Sequence, residues 1–140
     1  MCCMERELVI NTIKEVAVEL NYNVEDHENN FLSLSKDDNY KLVVGVEPLD
    51  VPIVSFSTNV CEIEEEKFTS DTIKLMNKIN CEIDSKLLLP MIPDEDPTVK
   101  RMFMRRDILA LSKEHLQNYI PIIIEQLFKE RDYCVEKLGN

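Results

Sequence analysis

The chain has 140 residues, enough for one domain with a real core, and carries a formal net charge of -11 from 27 acidic and 16 basic side chains. Such a charge repels nucleic-acid phosphates and anionic lipid, and no run reaches the roughly 20 apolar residues that cross a bilayer. Nucleic-acid and membrane partners are therefore not expected, and the reading is a soluble cytoplasmic protein.

Met1 to Arg6 holds no apolar core ahead of a small-residue cleavage site, so no secretory leader is read there. From Glu5 to Leu20 the apolar residues Val9, Ile13, Val16, Ala17 and Leu20 share one stripe, which predicts an amphipathic helix. Asn21-Tyr22-Asn23 is expected to stop it, because asparagine tolerates the left-handed conformation in which helices often end. Val24 to Asn30 (VEDHENN) is polar throughout and reads as irregular.

Three strands follow. Phe31 to Lys36 alternates Leu32 and Leu34 against Ser33 and Ser35, and Lys36 to Asn39 makes a turn. Lys41 to Glu47 puts Leu42, Val44 and Val46 on one face, while Pro52 to Glu62 does the same with Val54, Phe56, Thr58 and Val60. Each strand offers one apolar face that needs a cover.

The period then changes twice. Ser70, Asp71 and Thr72 open a helix carrying Ile73, Met76 and Ile79. Lys86 to Ile92 is a short apolar strand, Pro93 to Pro97 a turn, and Lys100 to Ala110 a returning strand with two-residue alternation. Ser112 is the expected N-cap of a last helix with a broad apolar face, Leu116, Tyr119, Ile120, Ile123, Leu127 and Phe128, in which Pro121 removes one donor and should cause a bend. Asp132 to Asn140 reads as a fraying tail. The sum is an α+β layout, α-βββ-α-ββ-α, with a five-stranded, mostly antiparallel sheet packed by helices in one domain, residues 1–140, whose ordered core is about 5–131.

The order of elements, the helix Thr72 to Asn80 (TIKLMNKIN, two asparagines three apart), the hairpin after it and the amphipathic last helix resemble the YbjN-like proteins, bacterial sensory transduction regulators with a type III secretion chaperone-like fold. The resemblance covers about Glu5 to Lys129 and implies a homodimer with non-enzymatic work, either holding a segment of another protein or acting in regulation. Pro121 departs from a straight last helix.

Catalytic signatures are not found. With two glycines, Gly45 and Gly139, the chain has no phosphate-cradling loop. The five cysteines (Cys2, Cys3, Cys61, Cys81, Cys134) form no C-x-x-C pair, and only His27 and His115 accompany them, so neither zinc nor a structural disulfide is expected. Cys61 and Cys81 read as small buried hydrophobes. A thiol and base pair of Cys61 or Cys81 with His115 lacks a local signature, His27 falls in an acidic loop, and Asp94 to Asp96 lacks the ligand spacing of an EF-hand. No catalytic, cofactor or metal residue is assigned, and no enzyme is expected.

Lys100 to Asp107 is the least ordinary stretch. Alternation sends Met102 and Met104 to one side and Arg101, Phe103 and Arg105 to the other, concentrating positive charge around an aromatic in an acidic chain. Charge pairing with nearby carboxylates explains this, as does a partner surface, since arginine and phenylalanine anchor interfaces. The expected function is a protein-binding module whose partner contacts are Arg101, Phe103 and Arg105, with Ile120, Ile124 and Phe128 for dimer or partner contact. The alternative is an acidic immunity or inhibitor protein that blocks a basic toxin or enzyme through Glu62 to Glu66 and Asp94 to Asp96. A small enzyme or thiol switch is the third reading.

Overall fold

A computed structural model describes residues 4–27, 31–47, 49–89 and 98–139. The chain is α+β with three helices and a six-stranded antiparallel sheet of strand order β1-β2-β3-β4-β6-β5. It divides into two compact units, Met1–Ser57 with Asp107–Gln126 and Thr58–Arg106 with Leu127–Asn140.

In the first unit, helix α1 (Arg6–Glu19) buries Val9, Ile13, Val16 and Ala17. Asn21 ends it as expected, at φ 66°, and the Tyr22 N–H reaches back to the Ala17 carbonyl at 2.9 Å. The next stretch overturns the reading of an irregular segment for Val24 to His27, while Glu28 to Asn30 lie outside the described residues. Asn23–His27 is strand β1, paired antiparallel with β2 (Phe31–Ser35) from Asn23↔Ser35 to His27↔Phe31. The sheet accordingly has six strands where the alternation predicts five. Polar composition hid β1 because, at the end of the sheet, it has one neighbouring strand and no fully buried side chain.

The hairpin from β2 to β3 (Lys41–Glu47) closes with the Lys36 N–H on the Tyr40 carbonyl at 3.0 Å, and the Asn39 N–H donates to Asp37 Oδ1 at 2.7 Å. Strand β4 (Ile53–Glu64) pairs with β3 from Val43↔Ser57 to Glu47↔Ile53. Leu32, Leu34, Leu42, Val44, Val46, Val54 and Phe56 are buried on one face, and α1 packs against β1 and β3. The opposite face carries Ser33, Val43, Gly45, Ser55 and Ser57.

In the second unit the alternation of β4 slips. Thr58 is buried, Val60 and Cys61 are both half-buried, and beyond them Ile63 is half-buried while Glu62 and Glu64 are exposed, so the alternation changes phase between Val60 and Cys61. One extra residue in a strand produces such a phase change. A 3-10 turn at Glu65–Lys67 follows, its Glu65 N–H donating to the Thr98 carbonyl at 2.7 Å. Helix α2 (Ser70–Glu82) is capped by Thr69, whose N–H donates to Thr72 Oγ1 at 3.2 Å. It buries only Met76 and Ile79.

Strand β5 (Lys86–Leu88) pairs antiparallel with β6 (Val99–Leu109), which buries Met102 and Met104. The turn Pro93 to Pro97 and its acidic residues lie outside the described residues. Helix α3 (Lys113–Leu138) starts on the Ser112 cap, whose Oγ accepts the His115 N–H at 3.0 Å, and the helix continues through Pro121. The fraying tail is not observed. The helix runs to Leu138 and buries Cys134 fully.

Candidate interaction site

A six-stranded open sheet has two ends, and side chains treat them differently here. At β5, Asn80 in the last turn of α2 closes the edge: the Leu87 N–H donates to Asn80 Oδ1 at 2.7 Å, and Asn80 Nδ2 donates to the Leu87 carbonyl at 3.0 Å. A side-chain amide thus takes the place of a neighbouring strand at the one residue of Lys86–Leu88 that turns both backbone groups away from β6. Lys86 Nζ adds a bond to the Asn80 carbonyl at 3.1 Å. Nothing in the sequence marks Asn80 for this role beyond a polar residue in the last turn of a helix that precedes a strand.

The edge at β1 is of another kind. The Lys36–Tyr40 bond fixes which pairs of β2 and β3 exchange hydrogen bonds; alternation then commits Leu34 and Leu32 to β3, and Ser35, Ser33 and Phe31 to β1. Val24 and Asp26 therefore turn their N–H and C=O groups to the outside of the sheet. Around them, Lys14 Nζ meets Asp26 Oδ2 at 2.6 Å, and His27 Nε2 shares a hydrogen bond with Ser33 Oγ at 2.8 Å while its ring stacks on Phe31 at 5.1 Å. Glu25 is exposed. The unit that holds this edge has 14 acidic against 5 basic side chains, and the other has 13 against 11. Negative charge is concentrated in the unit that holds β1.

The residues singled out in the sequence fall elsewhere. Arg101 is exposed and ion-paired, its guanidinium 3.2 Å from Glu62 Oε1. Phe103 and Arg105 are half-buried, opposite Leu88 and Lys86 of β5. Glu62 and Arg101 also line a shallow pocket with Asn59, Val60 and Cys61. Ile120, Ile124 and Phe128 are only 0, 3 and 5% exposed, core positions of the chain by itself and not an available surface. The exposed large apolar residues of α3 are others, Tyr119 at 48%, Ile122 at 47% and Val135 at 41%, with Leu109 and Leu111 exposed just before the helix.

A second cluster joins α2, β5 and α3. The Glu130 carboxylate accepts the Ser85 N–H at 2.8 Å and the Asp84 N–H at 3.4 Å, and the Tyr133 hydroxyl donates to Glu82. Among the described residues the Ser85 hydroxyl is buried without a partner. This cluster ties a turn to a helix and brings no nucleophile to a base. Of the cysteines, Cys81 is exposed, against the expectation of a buried one, and Cys61 is half-buried. Burial pushes the Cys61 thiol up, and burial together with the charge of Glu130 and the neighbouring Cys61 pushes Cys134 up to about 11. Thiols raised this way are poor nucleophiles. Among the described residues, no three His, Cys, Asp or Glu side chains are grouped to hold a metal ion, and no helix is long and apolar enough to cross a membrane.

Comparison of structures gives a match to the crystal structure of YbjN from E. coli, a protein proposed to regulate transcription: 87% of each chain is covered at 13% identity, with a TM-score of 0.58. The fold is YbjN-like. At this identity the YbjN likeness concerns the fold alone. No family model and no curated protein matches the sequence.

Proposed function

We propose that this chain is a non-enzymatic, protein-binding module that acts in regulation or as a chaperone-like holder, and that it works as a homodimer in the cytoplasm. The observation that supports self-association is the exposed apolar pair Tyr119 and Ile122 in the first unit, one helical turn apart on α3. The YbjN-like fold is consistent with a regulator, and the net charge of -11 favours regulation through protein contact over contact with nucleic acid.

Light scattering on the size-fractionated protein tests this reading. The expected result is a dimer at low and high salt that Ile122→Asp converts into a folded monomer, because apolar contacts survive screening. A monomer under every condition would remove the homodimer.

One observation favours a second reading. The excess of 14 acidic over 5 basic side chains in the first unit suits an inhibitor that binds a basic protein one to one. A complex that dissociates steeply as salt rises, formed by a monomer, would move the assignment there.

A further inference from the structure

We infer that β1 is a docking edge for an extended, basic segment of another protein, which adds to the sheet as a further strand by pairing with the outward N–H and C=O groups of Val24 and Asp26. The inference rests on the protein-binding reading and gives it a place and a partner chemistry. Three observations carry it.

The first is geometric. Strand pairing needs a run of outward backbone donors and acceptors, and the bonding alternation from the Lys36–Tyr40 closure leaves those of Val24 and Asp26 pointing away from β2. The second is contrast. The β5 end is closed by Asn80 on both polar groups of Leu87. Among the described residues a side chain blocks the β5 end of the sheet and none blocks the β1 end, and such asymmetry directs a partner to one place. The third is charge. Glu25 stands exposed between the two outward residues, in the unit with the large acidic excess.

Charge also selects the occupant. A second copy that used both Val24 and Asp26 about a two-fold axis would set Glu25 directly against its own copy, and like charges opposite one another destabilise a strand pair. Lysine or arginine opposite Glu25 has the reverse effect. The partner strand's next side chain on that face meets the His27–Phe31 stack, which offers an apolar surface.

The test uses a short peptide of alternating lysine and valine, with the glutamate and valine peptide as control, and reads amide hydrogen exchange by NMR. The basic peptide is expected to slow exchange at Val24 and Asp26. Val24→Pro, which removes one outward donor at a site where an edge strand tolerates proline, is expected to abolish that protection. Glu25→Lys is expected to weaken binding about tenfold or more. The inference is overturned if the basic peptide fails to bind, if protection appears elsewhere, if the acidic peptide binds equally, or if Val24→Pro binds as well as wild type. Should Val24→Pro not fold, as judged by circular dichroism, Glu25→Lys decides the matter. Light scattering on the same samples reports self-association separately, so loss of the edge and loss of the dimer are distinguishable.

Discussion

Asn80 and Leu87 are joined by two hydrogen bonds, one in each direction, at 2.7 and 3.0 Å. Asn80→Ala removes both and leaves the Leu87 donor and acceptor part-buried without partners. The expected loss of stability is about 1–3 kcal/mol, read from urea midpoints. Asn80→Asp keeps the acceptor and should fall between Ala and wild type. Because the β5 edge is then open, Asn80→Ala should also aggregate more with concentration than wild type, and an unchanged scattering profile would contradict the capping role.

Glu130 offers a second check on the same unit. Its carboxylate holds the Ser85 and Asp84 N–H groups from 45 and 46 residues away in sequence. Glu130→Ala is expected to cost about 1–2 kcal/mol, a charge-assisted pair reduced for partial exposure, and to speed exchange of the Ser85 amide before any other amide of the turn.

The two isoleucines on α3 separate surface from core. Ile124→Asp places a carboxylate where exposure is 3%, and should destabilise by more than about 4 kcal/mol or prevent folding. Ile122→Asp, on the exposed side, should stay within about 0.5 kcal/mol of wild type in stability and act only on self-association. Equal destabilisation by both would refute the assignment of faces.

Cys134 sets an alkaline limit. Its folded pKa of about 11 lies above the ordinary 9.0, so the native state holds the proton more tightly than the unfolded chain. The contribution is complete below pH 9.0 and is lost as pH rises from there through about 11. Stability should fall across that window, and the fall should be shallower in Cys134→Ala, whatever its lower baseline from the cavity. Alkylation of the native protein should label Cys81 before Cys61, and Cys134 only on unfolding.

Where hydrophobic period and burial coincide, the fold can be read from sequence: α1, β2 and β3 bury the residues their spacing selects, and Asn21 and Ser112 end and start helices as their chemistry requires. β1 escaped because an edge strand needs no apolar alternation, and the change of phase after Val60 is invisible to a fixed period. The candidate site was harder to see. The apolar face of α3 is broad enough that composition alone does not say that Ile120, Ile124 and Phe128 go inward while Tyr119 and Ile122 stay outside. Neither does composition show backbone groups, and the outward pair at Val24 and Asp26 is a property of register, not of side chains.

α3 follows every other described element in the sequence, yet its first half belongs to one unit and its second half to the other. During synthesis, then, the first unit waits for residues up to Gln126 and the second for those from Leu127 on, so neither finishes before part of α3 has cleared the ribosome. Until that moment the apolar faces of β2, β3 and β4 lack part of their unit, and the nascent chain exposes them to whatever else is in the cell. Such a chain should depend on general chaperones while it is being made and should refold slowly from denaturant, in keeping with contacts that close over long stretches of sequence.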